Sequence, residues 1–129
     1  MARPQPRPTD AELAILHVLW SRGPSTVRQV HAALASSRDT GYTTTLKLMQ
    51  IMAEKGLVTR DVSERTHVYA ARVGRDETQR RLVADLLDRA FGGSAAALVM
   101  QALKAGTASA EEMAEIRRLI EQYRKEHGR

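Results

Sequence analysis

Residues 40–57 read TGYTTTLKLMQIMAEKGL, and the reading of this stretch decides the fold. Gly41 signals a turn. Leu46, Met49, Met52 and Ala53 then recur at helical spacing and share one face. Thr44, Lys47, Gln50, Ile51 and Glu54 fall largely on the other. Thr43 and Thr44 are expected to cap the start of the helix, and Gly56 to take the left-handed conformation that ends it. Taken alone, the stretch is an amphipathic surface helix. A helix that opens with hydroxyls and carries a Lys also has the chemistry to enter a DNA major groove. Its neighbours decide between the two.

Upstream, Thr9-Asp10-Ala11-Glu12 fits a capping box. Leu13, Leu16, Leu19 and Trp20 follow as a helical stripe that stops at the Arg22-Gly23-Pro24 turn. Trp20 is expected in the core and His17 in solvent. Ser25 is expected to cap a second helix striped by Val27, Val30, His31 and Leu34, with Arg28 on its polar face. Two short helices leading into the 40–57 helix have the layout of a helix-turn-helix.

Downstream of Gly56 the period changes from 3.6 to 2. Leu57–Val62 and Thr66–Ala70 are expected to form two strands joined at Ser63-Glu64-Arg65. Arg60, Arg65 and His67 lie on this hairpin. Three helices and a hairpin are the element order of a winged helix-turn-helix, in which the third helix enters the major groove and the hairpin lies on the backbone or in the minor groove. The predicted fold is mainly α: a winged helix over residues 9–73 after a flexible, Pro- and Arg-containing arm (residues 1–8), followed by a helical region over residues 74–129.

From Arg75 the pattern is purely helical. Leu82, Val83, Leu86, Leu87, Ala90 and Phe91 stripe one helix up to the Gly92-Gly93 break. Leu98, Val99, Ala102 and Leu103 stripe a shorter helix over residues 94–105. Ser109 to Glu112 is a second capping box, and Met113, Ile116, Leu119, Ile120 and Tyr123 stripe the last helix. Three short amphipathic helices bury little against one another, and stripes this wide call for a partner, most simply a second copy of the chain. The dimerisation set is therefore Leu82, Leu86, Leu87, Phe91, Leu98, Leu103, Met113, Ile116, Leu119, Ile120 and Tyr123.

Charge follows the same division. The chain has 129 residues and a formal charge of +5. Residues 1–75 hold 11 Lys/Arg and 6 Asp/Glu, and residues 76–129 hold 9 of each. The basic excess thus lies wholly with the winged helix, which suggests an anionic partner there and a different role for the rest. The chain lacks Cys, which excludes a disulfide framework and thiolate chemistry. Its four His residues have no metal-ligand spacing, and no phosphate loop or nucleophile elbow is present. Asp85 and Asp88 have Arg81 and Arg89 beside them and read as a solvated ion-pair face. Neither a cofactor nor an enzyme is expected. No apolar run approaches the ~18 residues of a membrane span, so a cytoplasmic protein without direct membrane insertion is expected.

Several motifs in fixed order resemble the penicillinase-repressor family of bacterial transcription regulators (the BlaI/MecI/CopY group). They are Leu19-Trp20, Thr26-Val27-Arg28-Gln29-Val30, Tyr42-Thr43-Thr44-Thr45-Leu46, Glu54-Lys55-Gly56-Leu57-Val58, His67-Val68-Tyr69, Phe91-Gly92-Gly93-Ser94 and Ala97-Leu98-Val99. The resemblance spans roughly residues 9–125. It implies a homodimeric repressor that binds double-stranded DNA at a dyad-symmetric operator. It places Thr43, Thr44, Lys47 and Ile51 toward the groove, and Arg60, Arg65 and His67 on the wing. Arg28, Arg60 and Arg65 are expected to hold the DNA backbone. Ile51 would meet a thymine methyl, or the helix is rotated so that Gln50 reads the base instead. In the penicillinase branch, which serves antibiotic resistance, a membrane-bound sensor metallopeptidase answers β-lactam and the repressor is cut in its C-terminal region. The family's Asn-Phe cleavage bond aligns here with Gln101-Ala102. The cysteines of the copper-responsive branch are missing. Two rival readings remain: a winged helix that docks an acidic protein, and a non-specific architectural DNA binder.

Overall fold

The structure, a computed structural model, describes residues 7–128. The expected N-terminal arm, apart from Arg7 and Pro8, lies outside them. The elements run α1 (Asp10–Arg22), β1 (Ser25–Thr26), α2 (Val27–Leu34), α3 (Tyr42–Lys55), β2 (Val58–Asp61), β3 (Val68–Ala71), α4 (Arg75–Ala90), α5 (Ala95–Lys104) and α6 (Ala110–His127). The chain divides into two compact units, one through Arg81 and one from Leu82. The first turns of α4 therefore belong with the winged helix.

In the first unit, three helices pack on a small antiparallel sheet of strand order β1-β3-β2. The core joins Ile15, Leu16 and Leu19 of α1, Val27, Val30 and Leu34 of α2, and Met49 and Met52 of α3 with Leu57, Val58, Tyr69 and Val73. The third-helix face read from Met49 and Met52 is thus the buried one, with Leu46 and Ala53 packed at its margin. On α1 Ile15 joins Leu16 and Leu19 in the core, whereas Leu13 and Trp20 are only partly buried. Trp20 stands at the edge of the core, where its indole N–H donates to the Val73 carbonyl at 2.9 Å and Arg75 lies over its ring. His17 is exposed, as expected, and meets Trp20 edge-on.

Three local expectations are corrected. Ser25 does not cap α2; it sits buried in β1, paired with Tyr69. Thr26 is the cap, in a reciprocal box with Gln29. Its hydroxyl can reach the third helical N–H, the geometry that makes Thr-x-x-Gln a start signal. Thr43 and Thr44 do not cap α3 either. The N-cap is Gly41, without a side-chain bond, and both threonines lie exposed inside the first turn. Thr45 turns inward, fully buried, with its hydroxyl donating to the Gly41 carbonyl at 3.3 Å. The hairpin strands are also shorter than expected, because Val62, Thr66 and His67 belong to the turn rather than to β2 or β3. There the Asp61 carboxylate accepts the Ser63 N–H at 2.9 Å, closing a local turn. That bond, more than any other influence, holds the Asp61 carboxyl below its usual pKa.

Gly56 ends α3 at φ 82, as expected. A Cβ there would meet only the Arg72 side chain at 3.7 Å, an ordinary contact. Gly56→Ala should therefore cost only the left-handed backbone penalty, about 1–2 kcal/mol, read as a lower urea midpoint with an unchanged slope.

The second unit comprises the rest of α4 with α5 and α6. Ser94 caps α5, and the Ser109/Glu112 box starts α6, as expected. Among residues 82–128 none is fully buried. No helix in the described residues is long and apolar enough to cross a membrane.

Candidate nucleic-acid interface

Between α2, the start of α3 and the wing lies an open groove of about 330 Å³. Each wall is placed by an identifiable device. The Thr26 box fixes the first turn of α2, which sets Arg28 on the rim. The packing of Met49 and Met52 into the core turns Gln50 outward. The β2–β3 register pairs Arg60 with Tyr69, which puts both side chains on one face of the sheet, where both line the groove. The turn then adds Arg65 and His67.

Five of the nine expected DNA-contacting residues therefore converge on one concavity: Arg28, Gln50, Arg60, Arg65 and His67. Three Arg side chains, one from α2 and two from the hairpin, line it and no carboxylate does. Arg is suited to phosphate oxygens because its planar donors match them two at a time. The other four, Thr43, Thr44, Lys47 and Ile51, are exposed on α3 but do not line the groove. Ile51 is 36% exposed, so an apolar side chain does stand on the outer helix face. Gln50 and Arg60 also share a smaller depression with Ala53 and Glu54. Gln50 and Ile51 of the third helix are thus both outward.

Sequence reasoning missed Tyr42 and Thr26, which also line the groove. Tyr42 stands beside the threonine run as an aromatic at a helix start, and that was the available signal. It also missed Glu12. That carboxylate is 2% exposed yet paired with a cation, accepting Lys55 Nζ at 2.8 and 3.0 Å and the Thr9 N–H at 2.9 Å. Burial pushes its pKa up. The bonds from Lys55 and Thr9 outweigh that and bring it below the ordinary carboxylate value.

The expected dimerisation residues fall into two groups. Leu82, Leu87, Phe91, Leu98, Met113 and Ile116 are half-buried within the second unit. Leu86, Leu103, Leu119, Ile120 and Tyr123 are exposed, as are Val83, Val99 and Met100. On α5, Val99, Met100 and Leu103 line a shallow and mostly apolar depression of about 590 Å³. Gln101 and Ala102 are exposed within α5. No group of three metal-ligating side chains occurs among the described residues.

The sequence pattern of the penicillinase repressor family matches residues 8–122. The chain belongs to the penicillinase repressor family. Members of this family are DNA-binding transcriptional repressors, not enzymes. Over 122 residues the chain is 41% identical to the transcriptional regulator BlaI of Mycobacterium tuberculosis, in two strains, covering 92% of this chain and 86% of the relative. Two solved structures are similar in fold at a TM-score of 0.51 and 20% identity, over 59% of this chain and 93% of theirs. One is the monomeric form of Bacillus licheniformis BlaI in complex with the blaP half-operator, and the other is the DNA-binding domain of the repressor BlaI.

Proposed function

We propose that the chain represses transcription as a homodimer on a dyad-symmetric operator. One reading unit sits on each half-site, and the region from residue 74 onward joins the two chains. The observation that carries this reading is the convergence of Arg28, Arg60, Arg65 and His67 on one groove beside the outer face of α3. In this reading the groove grips the sugar-phosphate backbone. Thr43, Thr44 and Lys47 meet base edges and phosphates, and either Ile51 or Gln50 meets a base edge. Two such helices would enter successive major grooves about 34 Å apart. Derepression follows when the second unit no longer joins the chains, with the Gln101-Ala102 bond as the place of a cut by a membrane-bound sensor peptidase. That a structurally similar repressor was solved as a monomeric form on a half-operator supports reading and pairing being separate tasks.

A gel shift on the dyad upstream of the protein's own gene tests this. Lys47→Ala combined with Arg60→Ala should weaken binding. On a half-operator duplex it should also flatten the dependence of log K on log salt by about two units, one per lost phosphate contact. Binding as tight as wild type at physiological salt would rule out this surface. Equal affinity for operator and shuffled duplex would favour an architectural binder.

A further inference from the structure

Tyr42 has no place in the core, yet it occupies the first position of the third helix at 43% exposure. Its surroundings come from a different helix. Arg28 and His31 stand three residues apart on α2 and so share one face. The Arg28 guanidinium carbon lies 5.9 Å from the Tyr42 ring centroid, over the ring. The His31 ring meets Tyr42 edge-on, with centroids 5.8 Å apart. His31 is itself half-buried, so it backs the tyrosine ring from the protein side. Arg28 and Tyr42 both line the groove described above.

We propose that Tyr42 is a positioning residue that holds the Arg28 guanidinium over its ring at the groove rim, ready to meet a backbone phosphate. The inference rests on the DNA-binding reading given above. An exposed Arg has many rotamers, and ordering one on binding opposes association. A ring already occupied by the cation removes part of that cost before DNA arrives. The ring's negative face attracts the guanidinium, whereas the N–H donors at the guanidinium edge stay free for phosphate oxygens. The same contact ties the first turn of α3 to α2, so the phosphate grip and the reading helix keep a fixed relation.

A double-mutant cycle on the operator, run in the full chain, tests the proposal. Tyr42→Leu should weaken binding about two- to fivefold, and should lower the salt slope toward that of Arg28→Ala, by about one unit per half-site. Adding Tyr42→Leu to Arg28→Ala should weaken binding no further. Tyr42→Phe keeps the ring and should bind within about twofold of wild type, since the interaction is with the π face. A second measurement needs no DNA: the Arg28 Hε resonance of the free protein should be displaced upfield by the ring in wild type and Tyr42→Phe, and return in Tyr42→Leu. The proposal is overturned if Tyr42→Leu leaves affinity and slope unchanged, if its effect persists undiminished in the Arg28→Ala background, or if the resonance is not displaced. A displaced resonance in a protein that shows no salt-dependent DNA binding would sink the DNA reading while leaving the ring contact intact.

Discussion

Replacing Leu119 with Lys and Ile120 with Gln will leave the winged helix folded and will weaken operator binding by about 10²- to 10³-fold. Leu119 and Ile120 are 50% and 52% exposed on α6, and neighbouring Tyr123 is 63% exposed. Nothing between residues 82 and 128 is fully buried. A helical unit with no buried side chain of its own has little to hold it together unless another surface covers it. In a homodimer the four altered side chains, each half-covered, would supply on the order of 5 kcal/mol. The substitutions themselves do not harm the helix. Lys and Gln are good helix formers, better than the β-branched Ile they replace in one case, and the introduced Lys would stand four residues after Glu115, the favourable order for a pair. Loss of dimer without loss of helix should appear as a halved mass in sedimentation with unchanged far-ultraviolet dichroism. Half-operator binding should stay at the wild-type level, because the proposed reading surface lies in the other unit. A variant that remains dimeric would place the interface elsewhere on α4–α6.

How much of this was legible in the sequence follows from which interactions are local. Capping boxes are complete within four residues, so those at Thr9 and Ser109 could be read directly. The Met49 and Met52 face needs only helical periodicity and was also readable. Ser25 and Thr26 are both good caps, and local chemistry cannot choose between them. The choice is made by β3, which is distant in sequence and pairs with Ser25 and Thr26 to form a two-residue strand that no periodicity could reveal. Thr43 and Thr44 were expected to cap for the same local reasons, but the chain enters α3 earlier, at Gly41. Among the site residues, the basic ones were legible because charge without an apolar pattern stands out. Tyr42 was not, because its partners, Arg28 and His31, belong to another helix. Glu12 was read only as half of a capping box, since its second partner, Lys55, is 43 residues distant.

That second partnership carries the other large effect. Glu12→Ala should destabilise the winged-helix unit by about 2–3 kcal/mol, near the lower end for breaking a buried pair. The discount reflects Lys55, whose side chain is 29% exposed against 2% for Glu12 and can turn to water once its partner is gone. A fall in melting temperature of roughly 10–20 °C is expected for a unit of this size. Glu12→Gln should cost less, because its carbonyl can still accept the Thr9 N–H and only the charged half of the contact is lost. The two variants therefore separate packing from charge, and acid separates them again. The Glu12 carboxyl lies below its ordinary value of 4.5 in the folded protein, so the folded state binds its proton more weakly than the unfolded chain does. The stabilisation is complete above the unfolded value and is lost as the pH falls through the folded one. Urea midpoints of wild type should consequently drop between neutral pH and about pH 3, and Glu12→Gln should lose less over the same interval. Parallel acid profiles for the two proteins would mean that the carboxylate is not ion-paired in solution. Because Lys55 is the last residue of α3, a protein in which the pair is broken but the fold survives should also show a loosened third helix. Amide exchange should then be faster from Met52 to Lys55, while Val30 to Leu34 on α2 stay protected. The carboxylate at the start of α1 thereby fixes the far end of the third helix, as Gly41 and Tyr42 fix its beginning.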